Sequence, residues 1–142
     1  MISLKLAKAM FFDTKRVTSA VDAATRRVLS KFGSFVRTTA RHSIRKRKRP
    51  APPGSPPSSH TGLLRRFIFF GYDTSRRSVV IGPVRLGNKI GDAPPALEYG
   101  GPSRIVTGKQ SRTVTIAPRP FMGPALQAEK PKLPGMWSNS IK

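Results

Sequence analysis

Residues 17–44, VTSAVDAATRRVLSKFGSFVRTTARHSI, decide the fold. Val17, Ala20, Val21, Ala24, Val28, Phe32, Phe35 and Val36 recur at steps of three and four, the repeat of one face of an α-helix. Arg26, Arg27, Lys31, Arg37 and Arg41 fall mostly on the other side, so the spacing predicts one long amphipathic helix with a basic outer surface. Asp13 or Thr14 supplies its N-cap, and Gly33 is the expected weak point, where the helix would kink.

Past the helix, Arg45-Lys46-Arg47-Lys48-Arg49 runs into residues 50–59, PAPPGSPPSS, where five prolines forbid helix and disfavour sheet. The reading is an extended strap with little core content. Leu63 to Phe70 then reads as a strand and Ser78 to Gly82 as its hairpin partner, with Asp73, Thr74 and Ser75 as turn formers. Alternation sets Phe67 and Phe69 on one face and Ile68 and Phe70 on the other, so the hairpin is apolar on both sides. One helix covers one face. The other needs the carboxy-terminal segment or another subunit, which makes Phe67, Ile68, Phe69 and Phe70 candidate interface residues.

Gly82 to Pro95 reads as a loop, Ala96 to Tyr99 as a short segment stopped by Gly100-Gly101, and Thr113 to Ala117 as a strand with Val114 and Ile116 inward. Ile105 to Thr107 is its candidate partner. Phe121 to Glu129 is a short helix, followed by a proline-broken tail with Trp137 and Ile141 as candidate anchors. The whole is predicted as a single α+β domain. A long amino-terminal helix packs on a small, mainly antiparallel sheet, with a long Pro-rich loop and a short carboxy-terminal helix. Along the chain these are an arm (1–16), the helix (17–44), the strap (45–62), the sheet with short helices (63–129) and a tail (130–142).

The 142 residues fit one domain, and Leu, Ile, Val and Phe make up about a quarter of them, above the roughly 20% at which highly charged chains stay disordered. Fourteen prolines and twelve glycines predict long irregular segments. Charge dominates: 27 Lys and Arg against 6 Asp and Glu give +21. Residues 1–49 carry 14 of the basic side chains and only 2 acidic ones. Such self-repulsion implies a polyanion or an acidic protein surface as partner, with Arg26, Arg27, Arg45, Lys46, Arg47, Lys48 and Arg49 as contact candidates. No recognition-helix or RNA-binding aromatic signature accompanies them, so any contact would go to phosphates without reading base order.

Enzyme chemistry is not expected. The acids and histidines are Asp13, Asp22, His42, His60, Asp73, Asp92, Glu98 and Glu129, scattered without catalytic or metal-ligand spacing, and no cysteine supplies a nucleophile or ligand. Neither metal nor cofactor is expected. Gly82 to Lys89 only superficially resembles a phosphate loop: the Lys falls one place late, no Ser or Thr follows it, and Pro83 removes an amide. No apolar stretch is long enough for a membrane span or a cleaved leader, since Lys5 and Lys8 interrupt the first twelve residues.

Three short signatures stand in order: His60-Thr61-Gly62-Leu63-Leu64-Arg65-Arg66-Phe67-Ile68, Ala96-Leu97-Glu98-Tyr99-Gly100-Gly101, and Arg119-Pro120-Phe121-Met122-Gly123-Pro124-Ala125-Leu126. With the long basic helix before them, they resemble the neck and tail-completion family of tailed bacteriophages, over roughly Val17 to Leu126. The length of the strap and the tail after Glu129 depart from that pattern. Thr61, Gly62, Leu63, Glu98, Tyr99, Gly100, Arg119, Pro120 and Phe121 then read as structural positions, turning the chain and plugging the core. The resemblance implies a virion protein at the head-to-tail junction. It implies a ring, a hexamer or dodecamer, between portal-side and tail-tube proteins and around the DNA passage. The rival reading is a free-standing, sequence-nonspecific nucleic-acid-binding protein of ribosomal-protein type, which size and charge fit equally; two apolar hairpin faces favour the subunit.

Overall fold

The computed structural model describes residues 13–84 and 93–141. Helix α1, Thr14–Ser43, is 30 residues long, about 45 Å at 1.5 Å per residue. Asp13 is its N-cap, its carboxylate accepting the Arg16 N–H at 3.1 Å. The helix ends where Ile44 turns extended and drives its fully buried side chain into the core.

The remaining elements follow in chain order, and only some of them pack on α1. Strand β1 (Arg45–Lys46) bridges β2 (Ser58–Ser59) in parallel, closing the proline strap into a loop. One helical turn, α2 (Leu63–Arg66), leads into β3 (Ile68–Asp73), which pairs antiparallel with β4 (Ser78–Pro83). After α3 (Ala93–Tyr99), β5 (Gly101–Thr107) and β6 (Gln110–Ile116) form a second antiparallel hairpin. Helix α4 (Met122–Glu129), a 3₁₀ turn (Lys130–Lys132) and α5 (Leu133–Trp137) complete the described chain. The fold class is therefore α+β as expected, but the described strands make three separate two-stranded sheets instead of one.

The β3–β4 hairpin meets α1 at Gly33 and Arg37, and the carboxy-terminal elements meet it at Phe35 and Thr39, so the two pack on different flanks of the helix. Between them Phe32, Val36, Ala40 and Ile44 of the helix meet Ile68, Phe121 and Ala125, with Leu64, Val79, Ile81, Leu97, Leu133 and Met136 closing around the cluster. On the carboxy-terminal flank the ion pair Glu129–Lys132 is tied in. The Glu129 carboxylate, 8% exposed, accepts from Lys132 Nζ at 2.6 Å and from the Thr39 hydroxyl at 2.7 Å. Those hydrogen bonds hold its pKa below the usual carboxylate range, against the opposing effect of burial.

Several expectations are corrected. Leu63 to Arg66 is helical, not strand: Gly62 adopts φ +78°, its N–H donates to Ser59 Oγ at 2.9 Å and the Leu63 N–H to Thr61 Oγ1, and these local bonds start a helical turn. Phe67 caps that turn, and the strand begins at Ile68. Gly33 does not break α1. A Cβ there would lie 2.7 Å from Val79 Cγ2 and 3.0 Å from the Phe70 ring, so the missing side chain is a notch that seats the hairpin. The strap is not free of core: Ala51 is buried, Gly54 N–H donates to the Pro118 carbonyl at 2.8 Å, and the strap's ends pair as strand. The tail is helical through Trp137, and its anchors are Leu133 and Met136; Trp137 and Ile141 are exposed. The amino-terminal arm through Phe12, Asp92 and most of the Gly82–Lys89 segment lie outside the described residues. No described helix is long and apolar enough to cross a membrane.

Candidate partner and polyanion surfaces

Two of the three sequence signatures meet at one joint. The Glu98 carboxylate accepts backbone N–H bonds from Phe121 at 2.9 Å, Met122 at 3.0 Å and Gly123 at 2.7 Å, filling the free donors at the start of α4 with a negative charge. Arg119 locks the same joint from the other side, its N–H donating to the Leu97 carbonyl at 2.6 Å and its Nε to the Ala51 carbonyl at 2.7 Å. Gly100, at φ +74°, leaves room that a side chain would lose to Pro118 and the Ile116 carbonyl. Pro120 precedes Phe121, whose ring is 1% exposed. Glu98, Gly100, Arg119 and Phe121 therefore act through structure. Tyr99 contributes nothing to the core, because its side chain is 83% exposed.

The four interface candidates separate. The β3–β4 register puts Ile68, Phe70, Val79 and Ile81 on the face toward α1. Ile68 is fully buried and so is not free for a partner, whereas Phe70 seats one side of its ring against Gly33 and stays 36% exposed. Phe69 and Val80 occupy the outer face, 46% and 65% exposed, with exposed Leu63 and Val84 preceding and following the hairpin. Phe67 packs edge-on against Phe69, and the Arg37 guanidinium covers one side of that ring. The described carboxy-terminal residues do not supply the missing cover, since Phe69 and Val80 remain exposed with those helices in place.

The basic candidates are split as well. Arg26 and Arg27 are exposed on α1, and Arg27 donates to the Ser140 carbonyl at 2.7 Å, holding the tail. Past the end of α1, which lies about 25 Å further along the helix axis, Arg45, Lys46, Arg47, Lys48 and Arg49 are all exposed. No acidic side chain pairs with any of the five among the described residues. Arg45 and Arg47 line an open cleft of about 460 Å³ with His42, Ser55 and Ser58, between the helix end and the strap.

A further basic element escaped the sequence reading. The β5–β6 hairpin stands out as an arm whose substantial packing, among the described residues, is against α3 alone. It carries Arg104, Lys109 and Arg112, all exposed, and no acidic residue. The signal was present as a strongly alternating stretch, free of Asp and Glu, between Glu98 and Glu129. Only pairing reveals that the three cations share one projection.

Among the described residues no three His, Asp or Glu side chains converge as a metal site would require. Comparison with protein-family models, with curated proteins and with solved structures finds no match to this chain.

Proposed function

We propose that this chain is a structural subunit of the head-to-tail connector of a tailed bacteriophage, a neck or tail-completion protein that joins the portal side of the capsid to the tail around the DNA passage. In this reading it catalyses nothing, holds no cofactor, works in the virion as a closed ring of six or twelve copies, and contacts portal-side and tail-tube neighbours. The observation that carries it is the open outer face of the β3–β4 hairpin. Phe69 and Val80 stay 46% and 65% exposed on a well-built hairpin whose other face packs on α1. Full burial of such side chains from water stabilises by about 1.5–3 kcal/mol each, and roughly half of that is still to be gained at Phe69 and Val80 by a ring interface between copies. The signature residues support the same reading, because they act as joints of the scaffold and leave the faces free for assembly.

The test is the mass and shape of the purified protein by light scattering and negative-stain electron microscopy. A ring that dissociates in Phe69→Ser/Val80→Ser, with the monomer still folded, supports the proposal. A monomer at all concentrations, alone and with portal-side and tail-tube proteins, would overturn it. The exposed basic run at Arg45–Arg49 favours a second reading, a free-standing nucleic-acid-binding protein. That reading expects a monomer which binds any duplex with a steep salt dependence.

A further inference from the structure

We propose that the β5–β6 hairpin arm is a contact for double-stranded DNA, held by phosphates and indifferent to base order. The proposal rests on the arm's charge and shape, and holds whether or not the chain forms a ring.

Seven residues on each strand, Gly101–Thr107 against Gln110–Ile116, make a ribbon about 24 Å long. A two-stranded ribbon is one of the two protein elements that the major groove of B-form DNA admits. The register places the cations. Arg104 lies opposite Thr113, whereas Arg112 lies opposite Ile105, one position along, so the two guanidinium groups leave opposite faces of the ribbon. Arg104 Nη2 donates to Ser111 Oγ at 3.0 Å, across its own face. Lys109 sits in the two-residue turn at the tip.

That distribution favours DNA over an acidic protein. A ribbon entering a groove meets a phosphate wall on each side and uses cations on both faces and at the tip. Docking flat on an acidic protein surface would use one face. The arm of a second copy is a poor occupant, because each arm is +3 with no acidic residue. Exposed Ile105 and Val106 give the ribbon apolar side chains for sugar and base edges between the phosphate contacts.

The full chain is titrated into a 30-base-pair duplex of random sequence, over a series of salt concentrations, with its oligomeric mass measured in the same buffers. Each phosphate neutralised adds about 0.9 to the slope of log affinity against log salt. Arg104→Ser/Lys109→Ser/Arg112→Ser should therefore flatten the slope by roughly 2 to 3, and weaken binding on the order of a hundredfold near 100 mM salt. Its mass should not change, which separates a failure here from a failure of the connector reading. An unchanged slope overturns the proposal. So does loss of binding to polyglutamate with duplex binding intact, the result expected of an acidic protein partner. Should the triple variant misfold, Thr113→Glu sets a carboxylate opposite Arg104 without shortening a side chain, and must still weaken duplex binding; unaltered binding by that variant overturns the proposal equally. Marked preference for one duplex sequence overturns its phosphate-directed form.

Discussion

Glu98 caps the helix whose entry is set by Phe121, 23 residues downstream, accepting the Phe121 N–H at 2.9 Å and two further N–H groups behind it. A carboxylate in the first turn of a helix is favoured by both the free donors and the helix dipole, and charge-assisted hydrogen bonds contribute about 1.5–3 kcal/mol. Glu98→Ala should destabilise by about 2–3 kcal/mol in a denaturant titration. Glu98→Gln should lose less, since its one carbonyl oxygen still accepts. Equal losses in the two variants would mean that packing, not capping, is Glu98's role.

Phe121 is the plug next to that cap. It is 1% exposed and meets α1 and Ile68 in the same cluster, so Phe121→Ala should cost about 3–5 kcal/mol. Hydrogen exchange should lose protection first in α4 and α3, the two elements that the joint ties together. A loss confined to the β5–β6 arm would contradict this placement.

Gly33→Ala separates a notch from a kink. Alanine raises helix propensity by about 1 kcal/mol, so at a merely flexible site the variant would be more stable. Here the new methyl meets Val79 Cγ2 at 2.7 Å, a stiff β-branched side chain, and overpacking of this kind costs about 1–3 kcal/mol. The thermal midpoint should fall, and Val79→Ala in the same chain should relieve the clash. The coupling energy of the double-mutant cycle is the measurement.

Glu129 gives the acid side of the stability curve a defined component. Its folded-state pKa is lowered from the ordinary value of 4.5, chiefly by the hydrogen bonds from Lys132 and Thr39. The unfolded chain therefore takes up the proton first, and the stabilisation is complete above the ordinary value and is lost as pH falls below it through the lowered pKa. Chemical denaturation between about pH 6 and pH 2 should show Glu129→Gln with a flatter decline than the parent chain. Parallel curves would remove Glu129 from that role. Thr39→Val should shift the parent curve in the same direction by a smaller amount.

The helix, the two antiparallel hairpins and the short helix after Pro120 were legible because each depends on neighbours close in sequence. Apolar residues three and four apart have one helical arrangement that gathers them, and alternation at Val114 and Ile116 likewise leaves one pleated arrangement. The misreadings have a common cause. Leu63-Leu64 and Phe67-Ile68 satisfy a strand pattern locally, but Gly62 with the Ser59 and Thr61 hydroxyls begins a helical turn that composition does not announce. Of the candidate surfaces, the basic run at Arg45–Arg49 was visible as composition, while the arm cations Arg104, Lys109 and Arg112 became one element only through strand pairing.

The amino-acid sequence by itself determined the α+β class, the strongly basic surface and the positions of the long helix and the hairpins, since periodicity, proline placement and charge are local or additive properties. Tertiary structure decided that Glu98 is a helix cap, that Gly33 is a seat for Phe70 and Val79, and that Ile68 is core while Phe69 stays half exposed. Each of these depends on which residues distant in sequence approach within a few ångströms, and a residue's role there is set by the neighbour it meets, which no local pattern encodes.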